Sequence, residues 1–118
     1  MQLYHKNKYH AQKCRCLNEH MHDSKGEAAY CDGLYFQVKS GDLMEYEVQK
    51  RFDLHGINGK KVAAHYVDFL LTDFNNKQEV HEYKGVQTQL WKLKKALFEH
   101  EYPNIPYIVI YHKSGRRR

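Results

Sequence analysis

The sequence predicts an α/β fold in the order helix, three strands, helix, strand, preceded by a short hairpin or arm. Three observations carry this expectation. The run 62–71 is almost continuously apolar, as in a strand buried on both faces. Ser24 followed by Glu27, with Gly41 downstream, brackets one helix. Thr88 followed by Leu90, Leu93 and Leu97 at helical spacing, with Pro103 just beyond, brackets a second.

Taken in order, residues 1–10 are polar and rich in His, Lys and Tyr, and a mobile arm is expected there. Lys13-Cys14-Arg15-Cys16-Leu17 and Met21-His22 flank Asn18-Glu19, which suits the turn of a small hairpin. Residues 44–54 mix charged and apolar side chains in alternation and read as a strand. Gly56-Ile57-Asn58-Gly59 is a turn signal, and 73–77 make the turn into a third strand over 79–84. A final apolar strand covers 105–111, followed by the solvated tail Ser114-Gly115-Arg116-Arg117-Arg118. With no internal repeat and no long linker, residues 1–118 read as one domain.

Composition narrows the class. A chain of 118 residues is large enough for one core and too short for two. A net charge of +5 with 42% hydrophobic residues suits a folded protein that meets a polyanion better than it suits disorder. That balance is permissive only, since many basic domains never touch nucleic acid. Cys14, Cys16 and Cys31 make an odd count with no secretory segment upstream, so a reduced cytoplasmic setting is expected. No apolar run approaches the ~20 residues that span a bilayer, so no membrane partner is expected.

Chemistry concentrates on two strands. Asp68 sits inside the apolar run, and Glu82 and Lys84 lie two apart on the next strand, so they share a face while Tyr83 points to the other. Two carboxylates and an ammonium suit divalent-cation binding and phosphodiester hydrolysis. Read without function, Asp68 is a strand acid held by amides or an arginine, and Glu82 with Lys84 is a solvated pair worth ~0.2 to 1 kcal/mol. Glu27 also has two readings. It can close a capping box with Ser24, or it can join Cys31, Leu34 and Val38 on the helix face that packs inward. A buried acid on that face requires a polar or positive partner.

Glu27 on the first helix, Asp68 on the second strand and Glu82-Tyr83-Lys84 on the third resemble the PD-(D/E)XK nuclease superfamily. Asp23-Ser24-Lys25-Gly26-Glu27-Ala28, Gln49-Lys50-Arg51-Phe52-Asp53-Leu54, Tyr66-Val67-Asp68-Phe69, Glu82-Tyr83-Lys84-Gly85 and Trp91-Lys92-Leu93-Lys94-Lys95 are similar to small phage and prophage proteins described as endonucleases (DUF1064). The likeness covers residues 8–112. Val67 stands where the superfamily's namesake pattern has proline, a departure shared by many members.

The resemblance implies a restriction-endonuclease-like core and a Mg²⁺-dependent endodeoxyribonuclease, with Mn²⁺ able to substitute. Asp68, Glu82 and the Tyr83 backbone carbonyl would hold the ion. Glu27 would hold one of its waters or a second ion, and Lys84 would contact the attacking water and the scissile phosphate. The substrate would be DNA, including branched or recombination intermediates, cut to leave 5′-phosphate and 3′-hydroxyl ends in the cytoplasm of a bacterial host. Lys92, Lys94 and Lys95 and the tail residues Arg116, Arg117 and Arg118 are candidate phosphate contacts or ordinary solvated charges. Gln49 is a candidate for positioning substrate, and Trp91 reads as core. A homodimer supplying two sites is open.

Cys14, Cys16, His20 and His22 invite a zinc assignment. Their Cys-x-Cys and His-x-His spacings differ from those of zinc fingers, and strand alternation explains them without metal. Alternation also puts His65 on the strand face opposite Asp68, and His81 away from Glu82. Two further functions stay open beside the nuclease: a nucleic-acid-binding module that keeps the fold without catalysis, and an interaction protein whose acids are structurally paired.

Overall fold

The computed structural model describes residues 14–16, 21–22 and 24–111, with side chains at 16, 22 and 24–111. The expected arm at 1–10, the Asn18-Glu19 turn and the tail with Arg116, Arg117 and Arg118 lie outside the described residues. Those residues fall into two compact units that divide between Asp42 and Leu43. The class is mixed α/β, with two helices and a four-stranded sheet. No described helix is long and apolar enough to cross a membrane.

The first unit pairs β1 (Cys14–Arg15) with β2 (Met21–His22) antiparallel, setting Cys14 opposite His22 and Arg15 opposite Met21. Helix α1 (Lys25–Ser40) follows. Its start is fixed by Ser24, whose Oγ accepts from the Glu27 N–H at 3.1 Å. Its end is a Schellman motif. Gly41 adopts φ 88°, its N–H reaches the Val38 carbonyl at 3.1 Å, and the Asp42 N–H reaches the Gln37 carbonyl at 2.9 Å. The buried side chains of α1 are Glu27, Ala28, Cys31 and Leu34, nearly the stripe read from the sequence.

The second unit carries β3 (Glu45–His55), β4 (Lys61–Thr72), β5 (Gln78–Lys84), α2 (Gln89–Glu101) and β6 (Tyr107–Tyr111) in the sheet order β3-β4-β5-β6. The first two pairings are antiparallel and joined by the turns expected at 56–59 and 73–77. Asp73 nucleates the second turn, its Oδ1 accepting from the Asn75 and Lys77 N–H groups. Strands β5 and β6 run parallel, so they need a crossover, and α2 supplies it. Leu54, Val67, Leu70, Val80 and Phe98 form the core, with Phe52, Tyr102 and Tyr107 packed around Phe98.

Two expectations need correction. Burial on both faces holds for the C-terminal half of β4, whereas Val62 and Tyr66 are exposed. On α2 the predicted leucine stripe is only partly inward: Leu97 packs against the core, Leu90 and Leu93 are exposed, and Trp91 and Phe98 are the buried residues. Trp91 and Phe98 also recur at a helical interval of seven. Their larger apolar surface decides which face turns inward.

Candidate active site

The site grows from the point where β4 and β5 part. Their ladder runs from Thr72 opposite Gln78 to Phe69 opposite His81 and stops. At the next positions the two acids take over the role of backbone carbonyls. Asp68 Oδ2 accepts from the Tyr83 N–H at 2.8 Å, and Glu82 Oε1 accepts from the Asp68 N–H at 3.1 Å. Each carboxylate thus bonds the opposite strand, and the pair is held by the sheet itself. On the other side of β4, the β3 ladder skips Gln49 and Asp68, and Gln49 takes φ 56°. From there its side-chain amide donates to Asp68 Oδ1 at 3.2 Å.

Glu82 is 2% exposed. Burial first, and then the charge of Asp68, push its carboxyl up from its ordinary value to about 7. Lys84 opposes that shift, with Nζ 3.4 Å from Glu82 Oε2 and 5.0 Å above the Trp91 ring. The ammonium is therefore held between an aromatic face and the acid. Asp68, Glu82, Lys84 and Gln49, all singled out from the sequence, come together here.

A second chain of groups enters from behind. Tyr107 Oη donates to Glu82 Oε1 at 3.2 Å, and His65 Nε2 lies 2.8 Å from the same hydroxyl. With Glu82 ionised the one phenolic hydrogen goes to Glu82, and His65 then donates from Nε2 to the phenolic oxygen. Burial, followed by the charges of Lys94 and Lys84, holds His65 down to about 4, and the imidazole is neutral. The Tyr107 phenol is pushed up, by burial and then by Glu82, and stays protonated. Strand alternation put His65 on the face opposite Asp68; through the Tyr107 hydroxyl it is nevertheless linked to Glu82.

The remaining predicted residues make other contacts. Glu27 is in the first unit, 6% exposed, with Oε2 2.9 Å from His22 Nδ1. Lys92 is exposed, while Lys95 pairs with Glu99 at 3.0 Å and lies 5.2 Å over the Tyr107 ring. Both lysines line a groove between α2 and β6 with Trp91, Tyr107 and Tyr111. Lys94 is half-buried. Neither Tyr107 nor His65 was found as a site residue from the sequence. The one available signal was a phenol and an imidazole within otherwise apolar strands.

Asp68 and Glu82 offer hard carboxylate oxygens, the donor type that Mg²⁺ or Mn²⁺ takes. Two acids stand against one ammonium, and burial, then the charge of Asp68, raise the Glu82 carboxyl. A divalent cation fits that charge. The family described as "Protein of unknown function (DUF1064)" matches residues 6–115. No curated protein and no solved structure matches.

Proposed function

The chain belongs to the DUF1064 family, and from that premise we propose that it is a divalent-metal-dependent endonuclease hydrolysing DNA phosphodiester bonds, with Asp68, Glu82 and Lys84 as its catalytic residues. The observation that carries this reading is the crossed pair of buried carboxylates, each bonded to the other's strand, with a lysine 3.4 Å from one of them. A purely structural acid gains by being paired until its charge is comfortable. Glu82 is instead left with a carboxyl near 7, a cost that persists where a cation or substrate is to be received.

Asp68 and Glu82 would hold Mg²⁺, which when bound supplies Lewis-acid charge to the phosphate and acidifies water. Gln49 fixes one oxygen of Asp68, and Tyr107, backed by His65, fixes Oε1 of Glu82. These are positioning residues. Lys84, steadied by Trp91, would orient the attacking water and offset charge developing on the phosphate. Lys92 and Lys95, beside Tyr111 in the α2–β6 groove, would neutralise backbone phosphates of DNA, including branched or recombination intermediates. Glu27 joins the set on the resemblance alone.

The test is single-turnover cleavage of branched, duplex and single-stranded DNA with Mg²⁺, with Mn²⁺ and without divalent ion, beside DNA binding in Ca²⁺. Lys84→Met is expected to lower cleavage by about 10² to 10³ while leaving the fold and DNA binding in place. Cleavage by Lys84→Met at the wild-type rate refutes the catalytic assignment. DNA binding with no cleavage by the wild type makes the chain a binding module. Neither activity makes it an interaction protein.

A further inference from the structure

We infer that Cys16, His22 and Cys31 form a zinc site that ties the β1–β2 hairpin to α1. Their ligand atoms, two thiol sulfurs and an imidazole nitrogen, all lie within 4.8 Å of one another, and all three residues are buried. Around a tetrahedral zinc such atoms stand roughly 3.5 to 3.8 Å apart, given bonds of about 2.3 Å to sulfur and 2.0 Å to nitrogen. Small side-chain rotations close the difference.

The donors are the wrong kind for magnesium and the right kind for zinc. Thiolate and imidazole are soft or borderline ligands, and hard cations discriminate against them. His22 is further prepared for ligation by Glu27, whose carboxylate meets Nδ1 at 2.9 Å. With the ring proton drawn to Nδ1, the Nε2 lone pair is the one presented to a metal, the arrangement found behind many zinc-bound histidines. In a reading without metal, two cysteines fill the core as small apolar groups and Glu27 merely satisfies His22.

Among the described residues of the first unit, which ends at Asp42, the buried apolar side chains are Cys16, Ala28, Cys31 and Leu34, so two of the four are also metal-ligating types. Of the set the spacing suggested, Cys16 and His22 take part, while the side chains of Cys14 and His20 lie outside the described residues. Cys31 comes from the helix, nine residues beyond His22 at the end of the hairpin, and was read only as part of the inward stripe.

The test is zinc titration of the reduced, full-length chain, with metal content and cobalt-substituted absorption spectra as readouts. One zinc per chain is expected, with thiolate-to-cobalt charge-transfer bands and a melting temperature that zinc raises and magnesium does not match. Cys31→Ser should lose that stoichiometric binding. The chain has three cysteines, so Cys14→Ser retains only Cys16 and Cys31. Zinc-edge X-ray absorption of that variant, loaded with one equivalent, should show two sulfur neighbours and an imidazole. This keeps the question decidable even if Cys31→Ser does not fold. No zinc bound by the wild type, a single sulfur neighbour in Cys14→Ser, or full binding by folded Cys31→Ser would each overturn the site. A chelator strips both metals, so loss of DNA cleavage on omitting Mg²⁺, with zinc retained, keeps the two assignments apart.

Discussion

Each unit buries a glutamate, and the two are treated oppositely. In the first, Glu27 meets an imidazole, with two thiols close by. In the second, Glu82 faces another carboxylate, and neither its lysine nor its tyrosine brings its carboxyl back to the ordinary range. A buried acid by itself is therefore no mark of a reactive centre. What separates the two is the company: soft donors around Glu27, and hard, crowded, like-charged donors around Glu82.

The largest expected effect breaks the Glu82 side by pH. The folded state raises Glu82 from 4.5 to about 7, so it binds the proton more tightly than the unfolded chain, and stability falls as pH rises across that window. His65 is lowered from 6.5 to about 4, so the unfolded chain binds its proton more tightly, and stability falls as pH falls across that window. Each amounts to roughly 3 kcal/mol. Between pH 4.5 and 6.5 the two slopes oppose and nearly cancel. Urea denaturation of the metal-free chain should thus show little net dependence from this pair there. Glu82→Gln should be more stable than wild type at pH 8, with stability that drops as pH falls from 6.5. His65→Gln should lose stability as pH rises from 4.5. A Glu82→Gln variant less stable than wild type at pH 8 would make Glu82 a structural ion-pair partner of Lys84.

How much of this was legible depends on the range of the interaction. Ser24, Gly41 and Thr88 set helix ends through bonds within a few residues, and the sequence displays them. Asp68, Glu82 and Lys84 could be matched because one short turn brings their strands together. Tyr107 and His65 could not: they meet across 42 residues, on strands that are not neighbours in the sheet. Cys31 stayed hidden for another reason. On a helix an apolar stripe position and a metal ligand look alike until the hairpin is laid beside it. On α2, spacing alone allowed two faces, and the volumes of Trp91 and Phe98 chose between them.

A smaller effect sharpens the Glu27 side. Glu27→Gln keeps a hydrogen-bonding oxygen for His22 but removes the charge that makes the imidazole a stronger ligand. Loss of such a partner typically weakens metal affinity about 10- to 100-fold, and competition with a zinc indicator should show a decrease of that size. Unchanged affinity would separate Glu27 from the cysteine–histidine cluster. Cleavage measured on the same variant decides whether Glu27 also serves the nuclease, and a rate at the wild-type level would remove it from that set.

The smallest effect concerns backbone strain, and it again contrasts the units. Where the chain turns left-handed only to end α1, it uses Gly41, at φ 88°. At φ 56° beside Asp68 it uses Gln49, a residue whose Cβ makes that conformation costly by about 1 to 2 kcal/mol. The side chain explains the choice, since only a reaching amide can donate to Asp68 Oδ1. Gln49→Ala should then lose the hydrogen bond and keep the strain, whereas Gln49→Gly loses the bond and relieves the strain. The glycine variant is expected to exceed the alanine variant in stability by about 1 kcal/mol by urea denaturation, reversing the usual order within a strand. Both should cut DNA more slowly than wild type, because Asp68 is less firmly oriented. If alanine proves the more stable of the two, Gln49 is an ordinary strand residue, and its contact with Asp68 carries no sign of a structure bent to serve a site.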